Sequence, residues 1–381
     1  MLVVADENIP YAREVFGRLG EVRLVHGRRI TRDVLRSADL LFVRSITPVE
    51  PPLLDNTRVG FLGTATIGTD HINEAYLASR SISFASAPGS NANSVAEYMV
   101  AALLVMAERR GFELAGKTIG IVGVGNVGSR VAQKVRALGM TPLLNDPPIQ
   151  RVTGEERYRP LDELLGADVL TFHVPLTQTG EDATLHLCDA ALLGKLRPGC
   201  IVINTSRGPV VDGAALREHL ARGRLSAVLD VWEGEPDIDA DLLGLVSIAT
   251  PHIAGYSLDG KVNGTLMIYR AACEFLGIEP ERIPLDLPVP EPAVLHIDAS
   301  GRPPEDVLRE AVLSSYDILR DDAALRRIGQ MDALGRGSFF DRLRKEYPVR
   351  REFPSRRIVL RNASGELAEQ LKLLGFRPGD H

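Results

Sequence analysis

The 381-residue chain has little cysteine and little net charge. Its three cysteines, Cys188, Cys200 and Cys273, include no CxxC pair. That excludes a disulfide framework and a cysteine zinc site, and it fits a reducing compartment, the cytoplasm. Lys and Arg total 44 against 50 Asp and Glu, a formal charge of −6. This balance excludes a protein that lives on nucleic acid or on an anionic membrane. No apolar run reaches the length of about 18 residues that a membrane helix needs. The longest candidate, Val95–Ala107, carries Glu97. The opening MLVVADENIP lacks a basic n-region and reads as a first strand, not as a signal peptide. Repeats and low-complexity tracts are absent. What is there, 45% hydrophobic and 25% charged residues, is a globular composition sized for two or three domains.

The first ninety residues alternate short apolar runs (Leu2–Ala5, Val22–Val25, Leu40–Val43, Val59–Leu62, Ile82–Ala85) with polar helical stretches. Alternation of this kind predicts a mostly parallel sheet covered by helices. No glycine-rich loop follows the first strand, so this unit is not expected to hold a dinucleotide. Asn93 or Ser94, with Glu97 behind, predicts the cap of a helix that is apolar nearly all round and therefore buried. A second α/β run begins at Lys117, with six strands over Thr118–Val122, Pro142–Asn145, Val169–Val174, Ile201–Asn204, Ala227–Val231 and Val246–Ala249. Six strands with crossover helices make a doubly wound sheet. Asp212 is placed to cap one of those helices. Leu258–Phe275 reads as a long helix returning to the first unit. The proline-rich stretch at 281–293 reads as a linker. A third, smaller α/β unit follows, with strands at Leu295–Asp298 and Ile358–Arg361 and helices at Glu305–Leu319 and Glu366–Leu374.

Gly123-Val124-Gly125-Asn126-Val127-Gly128 is a GxGxxG loop between a strand and a helix, the setting in which the motif binds a dinucleotide. Gly123 serves the turn, Gly125 the approach of pyrophosphate, and Gly128 the helix–strand packing. Asp146 ends the next strand 18 residues after Gly128. A carboxylate there accepts hydrogen bonds from the adenosine ribose and repels a 2′-phosphate, so NAD is expected over NADP.

Arg207, Glu235 and His252 each follow a predicted strand at its C-terminal end, where open α/β sheets bind ligands. Together they suit oxidation of a 2-hydroxy acid. The histidine is the general base, the carboxylate orients it, and the arginine fork binds the substrate carboxylate. Spacing alone leaves Glu233 as a rival to Glu235, and His173 and His186 as rivals to His252. Asp230, also at a strand end, is placed to accept a hydrogen bond from the nicotinamide carboxamide. For a phosphorylated substrate, which the resemblance given below implies, Arg44 at the end of the strand LLFV is the candidate partner. Arg342 and Arg344 are further candidates, in a stretch from Arg320 to Arg361 with 12 basic and 6 acidic residues. The residues suggest no metal site.

The blocks NTSRGPVVD (204–212), DVWEGEP (230–236), PHIAGYS (251–257) and NSVAEY (93–98) resemble the signatures of the D-isomer-specific 2-hydroxyacid dehydrogenases. The resemblance implies catalytic roles for Arg207, Glu235 and His252. It implies cofactor contacts at Asn126, Val127, Val174, Thr205, Ser206, Arg207, Asp230 and Gly255, beside the glycine loop and Asp146. VRSIT (43–47), ATIGTDHI (65–72) and HVPLT (173–177) resemble a branch that oxidises 4-phospho-D-erythronate in vitamin B6 synthesis. That branch implies substrate contacts at Ser45, Thr66 and Tyr256. The implied fold is α/β, with two doubly wound parallel-sheet domains, one a flavodoxin-like substrate domain and the other a Rossmann NAD domain. A smaller α/β C-terminal domain that serves homodimerisation completes it. The implied boundaries are 1–92 with 257–280 for the substrate domain, 93–256 for the NAD domain, 281–293 for the linker and 294–381 for the C-terminal domain. A 3-phosphoglycerate dehydrogenase, a hydroxypyruvate reductase and an NAD-sensing corepressor are the alternative readings.

Overall fold

The structure is a computed structural model that describes residues 1–379. The last two positions of the expected C-terminal domain lie outside the described residues. The chain divides into two units, one of Met1–Asn91 with Tyr256–Pro288, the other of Ala92–Gly255 with the chain from Val289 onward.

In the first unit the apolar runs form β1 (Leu2–Asp6), β2 (Glu21–Val25), β3 (Leu40–Val43), β4 (Phe61–Thr64) and β5 (Ser83–Ala85). They pair in parallel in the order β2-β1-β3-β4-β5, with β1 and β3 adjacent. This is the flavodoxin-like order, and its switch point lies between β1 and β3. Alternate residues face opposite sides. Val3, Ala5, Leu40 and Phe42 meet Ile268, Tyr269 and Ala272 of the return helix Leu258–Leu276, while Val4, Leu41, Val43 and Leu62 pack on the other face. With both faces covered, the central strands are near-continuously apolar rather than alternating, with polar Asp6 and Thr64 only at the ends of β1 and β4. The stretch expected as a free linker is docked in its first half. Ile283 and Leu285 pack on this core, and the Tyr11 hydroxyl donates to the Asp286 carbonyl at 2.6 Å.

The second unit holds β6 (Thr118–Val122), β7 (Thr141–Asn145), β8 (Val169–Phe172), β9 (Ile201–Asn204), β10 (Ser226–Leu229) and β11 (Ile248–Ala249). All pair in parallel, in the order β11-β10-β9-β8-β6-β7. A parallel bridge from Leu144 to Tyr158 adds one residue of strand outside β7. Counted as the third strand, it gives the order 3-2-1-4-5-6-7, the 3-2-1-4-5-6 arrangement of a dinucleotide fold with β11 as one further strand.

The chain from Val289 forms its own parallel sheet, β12 (Val294–Asp298), β13 (Arg357–Arg361) and β14 (Arg377–Pro378). Its helices nevertheless pack on the dinucleotide fold. Leu325, Ile328, Phe339 and Phe340 join the core formed by β8, β9 and β10. The single helix expected over Glu305–Leu319 is two, Pro304–Leu313 and Ile318–Arg326. Asp317 caps the second, accepting from the N–H groups of Leu319 and Arg320. A further helix, Ala333–Lys345, had no counterpart in the sequence reading.

The helix Ala92–Arg110 is buried almost throughout, between Asn126–Ala137 and the C-terminal helices, which explains an apolar face all round. The capping expectation at its start is corrected. Asn93 and Ser94 lie inside the first turn, and their side chains donate to Glu352 at 2.6 Å each, Asn93 also to Glu97 at 3.0 Å.

Candidate active site

The glycine loop has the geometry its motif requires. Gly123 sits at φ +85°, where a Cβ would lie 2.6 Å from the His173 carbonyl oxygen and 2.7 Å from Val174. A Cβ on Gly128 would lie 2.0 Å from the Gly123 carbonyl oxygen. Over Gly125 a Cβ would meet no protein atom within 4 Å. Gly125 is also the N-cap of the helix Asn126–Ala137, and no side chain caps that end. Asn126 is exposed and Val127 half-buried beside it. Open space at the second glycine and an uncapped helix start fit a pyrophosphate. Asp146 is buried. Its Oδ2 accepts from the Val124 N–H at 2.7 Å and its Oδ1 from the Ile149 N–H at 3.0 Å. A carboxylate has about four acceptor positions, so each oxygen retains one.

The rival histidines separate cleanly. His252 Nδ1 lies 2.8 Å from Glu235 Oε2, which leaves Nε2 for another partner. Glu235 Oε1 accepts from the Trp232 N–H at 2.8 Å. Burial pushes the Glu235 carboxyl up, but the hydrogen bond and charge of His252, the Trp232 N–H and the Arg344 charge outweigh it and hold it below its ordinary value. His186 pairs instead with Glu233, Nε2 to Oε1 at 2.6 Å, and Glu233 Oε2 accepts from the Gly213 N–H. His173 has both ring nitrogens beside hydroxyls, those of Thr171 and Thr205, and burial takes it down to about 3. It is a neutral structural imidazole.

His252 sits at φ +57°, a conformation that non-glycine residues rarely adopt. Asp230 holds it there. The Asp230 carbonyl accepts from the His252 N–H at 2.7 Å. The carboxylate accepts from the Thr250 hydroxyl at 2.6 Å, the Ile253 N–H at 2.8 Å and the Ala254 N–H at 3.0 Å. The hydroxyls of Thr250 and Tyr98 lie 2.8 Å apart. Asp230 is thus the clamp of the His252 loop, a role the sequence reading lacked.

Arg207 follows β9 in extended backbone, and its Nη1 donates to the Ser206 carbonyl. Asn204, buried at the end of β9, shapes this turn by accepting from the Ser206 N–H and hydroxyl and donating to the Arg207 carbonyl. Gly208 lets the turn press on the Glu235 segment, since a Cβ there would lie 2.0 Å from the Trp232 carbonyl. Asn204, Gly208 and Thr250 are the residues the sequence reading missed. A polar residue closing an apolar strand, as in IVIN, was the available signal. Arg342 and Arg344 lie beside Phe339 and Phe340 respectively. Gly255 is half-buried at the end of the His252 loop.

The remaining candidates stand on the first unit. Arg44 follows β3, and its Nε lies 3.2 Å from Oδ2 of the fully buried Asp6. Ser45 is exposed in the next turn. The Thr66 hydroxyl donates to the Gly68 carbonyl and lies 2.7 Å from that of Thr64. The Tyr256 ring stands 4.5 Å from the Lys261 ammonium. Among the described residues there is no cluster suited to a metal ion, and no helix is long and apolar enough to cross a membrane.

A dinucleotide loop and an oriented histidine at strand ends of one sheet define a nicotinamide-dependent dehydrogenase. The chain belongs to the D-isomer specific 2-hydroxyacid dehydrogenase family, whose NAD binding domain matches residues 92–254. Within that family it is 48% identical to the erythronate-4-phosphate dehydrogenase of Salmonella typhimurium (strain LT2), over 100% of this chain and 99% of the relative. Residues 288–375 match a family model described only as a domain of unknown function. Among solved structures, D-lactate dehydrogenase from Aquifex aeolicus, complexed with NAD and lactic acid, superposes with a TM-score of 0.59 at 26% identity. The match covers 73% of this chain and 96% of that one. The TT0316 protein from Thermus thermophilus gives 0.62 at 26% identity, over 74% and 98%.

Proposed function

We propose that the chain oxidises 4-phospho-D-erythronate to 2-oxo-3-hydroxy-4-phosphobutanoate with NAD, a step of pyridoxal phosphate biosynthesis. The 2.8 Å contact between His252 Nδ1 and Glu235 carries this reading, because it leaves Nε2 as the proton acceptor. His252 takes the proton of the substrate 2-hydroxyl as the carbonyl forms. Glu235 stays ionised, fixes the ring and stabilises the imidazolium. The Arg207 guanidinium binds the substrate carboxylate and polarises the nascent carbonyl. NAD supplies the hydride acceptor. Gly123, Gly125, Asn126, Val127 and Gly128 hold its pyrophosphate, Asp146 its adenosine ribose, and Val174, Thr205, Ser206, Asp230 and Gly255 line its nicotinamide half. Arg44, Ser45, Thr66 and Tyr256 bind the substrate.

The division of labour in this reading is a substrate domain at 1–92 and 257–280, an NAD domain at 93–256, a connecting segment at 281–293 and a dimerisation domain at 294–381. The protein works as a homodimer. Three free, buried cysteines support the cytoplasm as its compartment. The test is NADH formation from 4-phospho-D-erythronate, 3-phosphoglycerate and glycerate in parallel. A clear preference for the first is expected. Preference for either of the others would overturn the substrate assignment.

A further inference from the structure

Lys261 occupies the first turn of the helix Leu258–Leu276. Among the described residues its ammonium makes no ion pair, and its side chain remains accessible to solvent. Its backbone carbonyl accepts from the Thr265 hydroxyl at 3.2 Å, and that hydroxyl lies 3.1 Å from the carbonyl of Pro10, just beyond β1. A Cβ on Gly264 would lie 3.3 Å from the carbonyl of Ala65, just beyond β4. The start of this helix therefore lies across the C-terminal ends of the first unit's strands. Arg44 reaches the same edge from β3 and is tied by Nε to Asp6 at the end of β1. The boundary between β1 and β3 is the switch point of this sheet, where open α/β sheets bind their ligands.

Of the two cations here, only Arg44 is paired with the buried carboxylate of Asp6. Desolvation, and then the charge of Arg44, holds Lys261 below the ordinary lysine range, so the two are close enough to repel. The Tyr256 ring, 4.5 Å from the ammonium, fixes the lysine by a cation–π contact. Neither Nη atom of Arg44 has a hydrogen-bond partner among the described residues. A dianion bound by both groups relieves the repulsion, with the planar guanidinium fork on two oxygens and the ammonium on a third.

We infer that Lys261 and Arg44 form one seat for the terminal phosphate of the substrate, with Tyr256 positioning the lysine. The inference rests on the phosphorylated substrate proposed above. Lys261→Gln and Lys261→Arg are compared with wild type in turnover of 4-phospho-D-erythronate and D-erythronate, and in calorimetric binding of inorganic phosphate. Lys261→Gln is expected to raise KM for the phosphorylated acid about 10- to 100-fold, the scale of one lost charged hydrogen bond. Little change is expected for D-erythronate, with weaker binding of inorganic phosphate and partial recovery in Lys261→Arg. Equal losses on both acids, or none on either, would overturn the seat. If wild type fails to turn over 4-phospho-D-erythronate, the function reading falls, and the calorimetry decides the seat alone. Phosphate bound as tightly by Lys261→Gln as by wild type overturns it, and weakened binding supports it.

Discussion

Gly208 shows at a single atom why Arg207 stands where it does. A Cβ there would sit 2.0 Å from both the carbonyl carbon and the carbonyl oxygen of Trp232. These are backbone atoms, which cannot swing aside as a side-chain tip can. Gly208→Ala must therefore shift the Arg207 segment against the segment that carries Glu235. Steady-state kinetics should show kcat/KM lowered by about 10²-fold, the usual cost of a displacement near 1 Å. Unchanged kinetics would mean that the two segments are positioned by something else. Asp146 works at the same scale. Asp146→Ser keeps a cap for the Ile149 N–H but loses the carboxylate that also accepts from Val124. Affinity for NAD should weaken by about 1.5–3 kcal/mol, and the preference over NADP should relax. An untouched preference in a titration with both cofactors would remove Asp146 from the ribose.

At the level of elements, the helix Ala92–Arg110 carries a buried acid. Burial pushes Glu97 up to about 8 from an ordinary 4.5, against the pull of Lys134. In the folded protein it is protonated over a range where the unfolded chain has ionised it. Its contribution to stability is thus fully present below the ordinary value and is lost as pH rises toward 8. Glu97→Gln copies the neutral acid. Denaturation of the variant should give a flatter loss of stability across that window than wild type gives, and an equally steep loss would show Glu97 ionised in the fold. This helix also marks how far the sequence could be read. Its apolar girth and the strand–helix alternation on either side are local patterns, and from them both parallel sheets and the glycine loop were legible. Asn93 and Ser94 were not, because their partner Glu352 lies 258 residues or more away and only the fold brings it near. Ala333–Lys345 was missed because glycines at 335 and 337 break the helical pattern. The Glu235–His252 pair could not be chosen over Glu233–His186 by spacing, since either glutamate is a short loop from its strand.

Across the whole chain, the arginines of the C-terminal segment do internal work that a count of charges does not reveal. Arg326 donates to the carbonyls of Leu243, Val246 and Ser247 at the end of the dinucleotide sheet. Arg350 is buried with its guanidinium 3.7 Å from the Tyr316 ring centroid, and it donates to the carbonyls of Ser94 and Ala254. It thereby ties the segment both to the buried helix and to the loop that carries His252. Arg350→Met leaves two buried carbonyls without their donor. The loss should be about 2–5 kcal/mol of stability in chemical denaturation, with kcat lowered as well. Near-wild-type stability would show that the segment is held elsewhere. The assignment of His252 as base to this fold is tested most directly by kcat for NADH formation from 4-phospho-D-erythronate in wild type and His252→Asn, both saturated with NAD. Turnover by wild type and a kcat lower by about 10²–10⁴ in the variant, with NAD binding unchanged, is the expected result. A variant with near-wild-type kcat would contradict it.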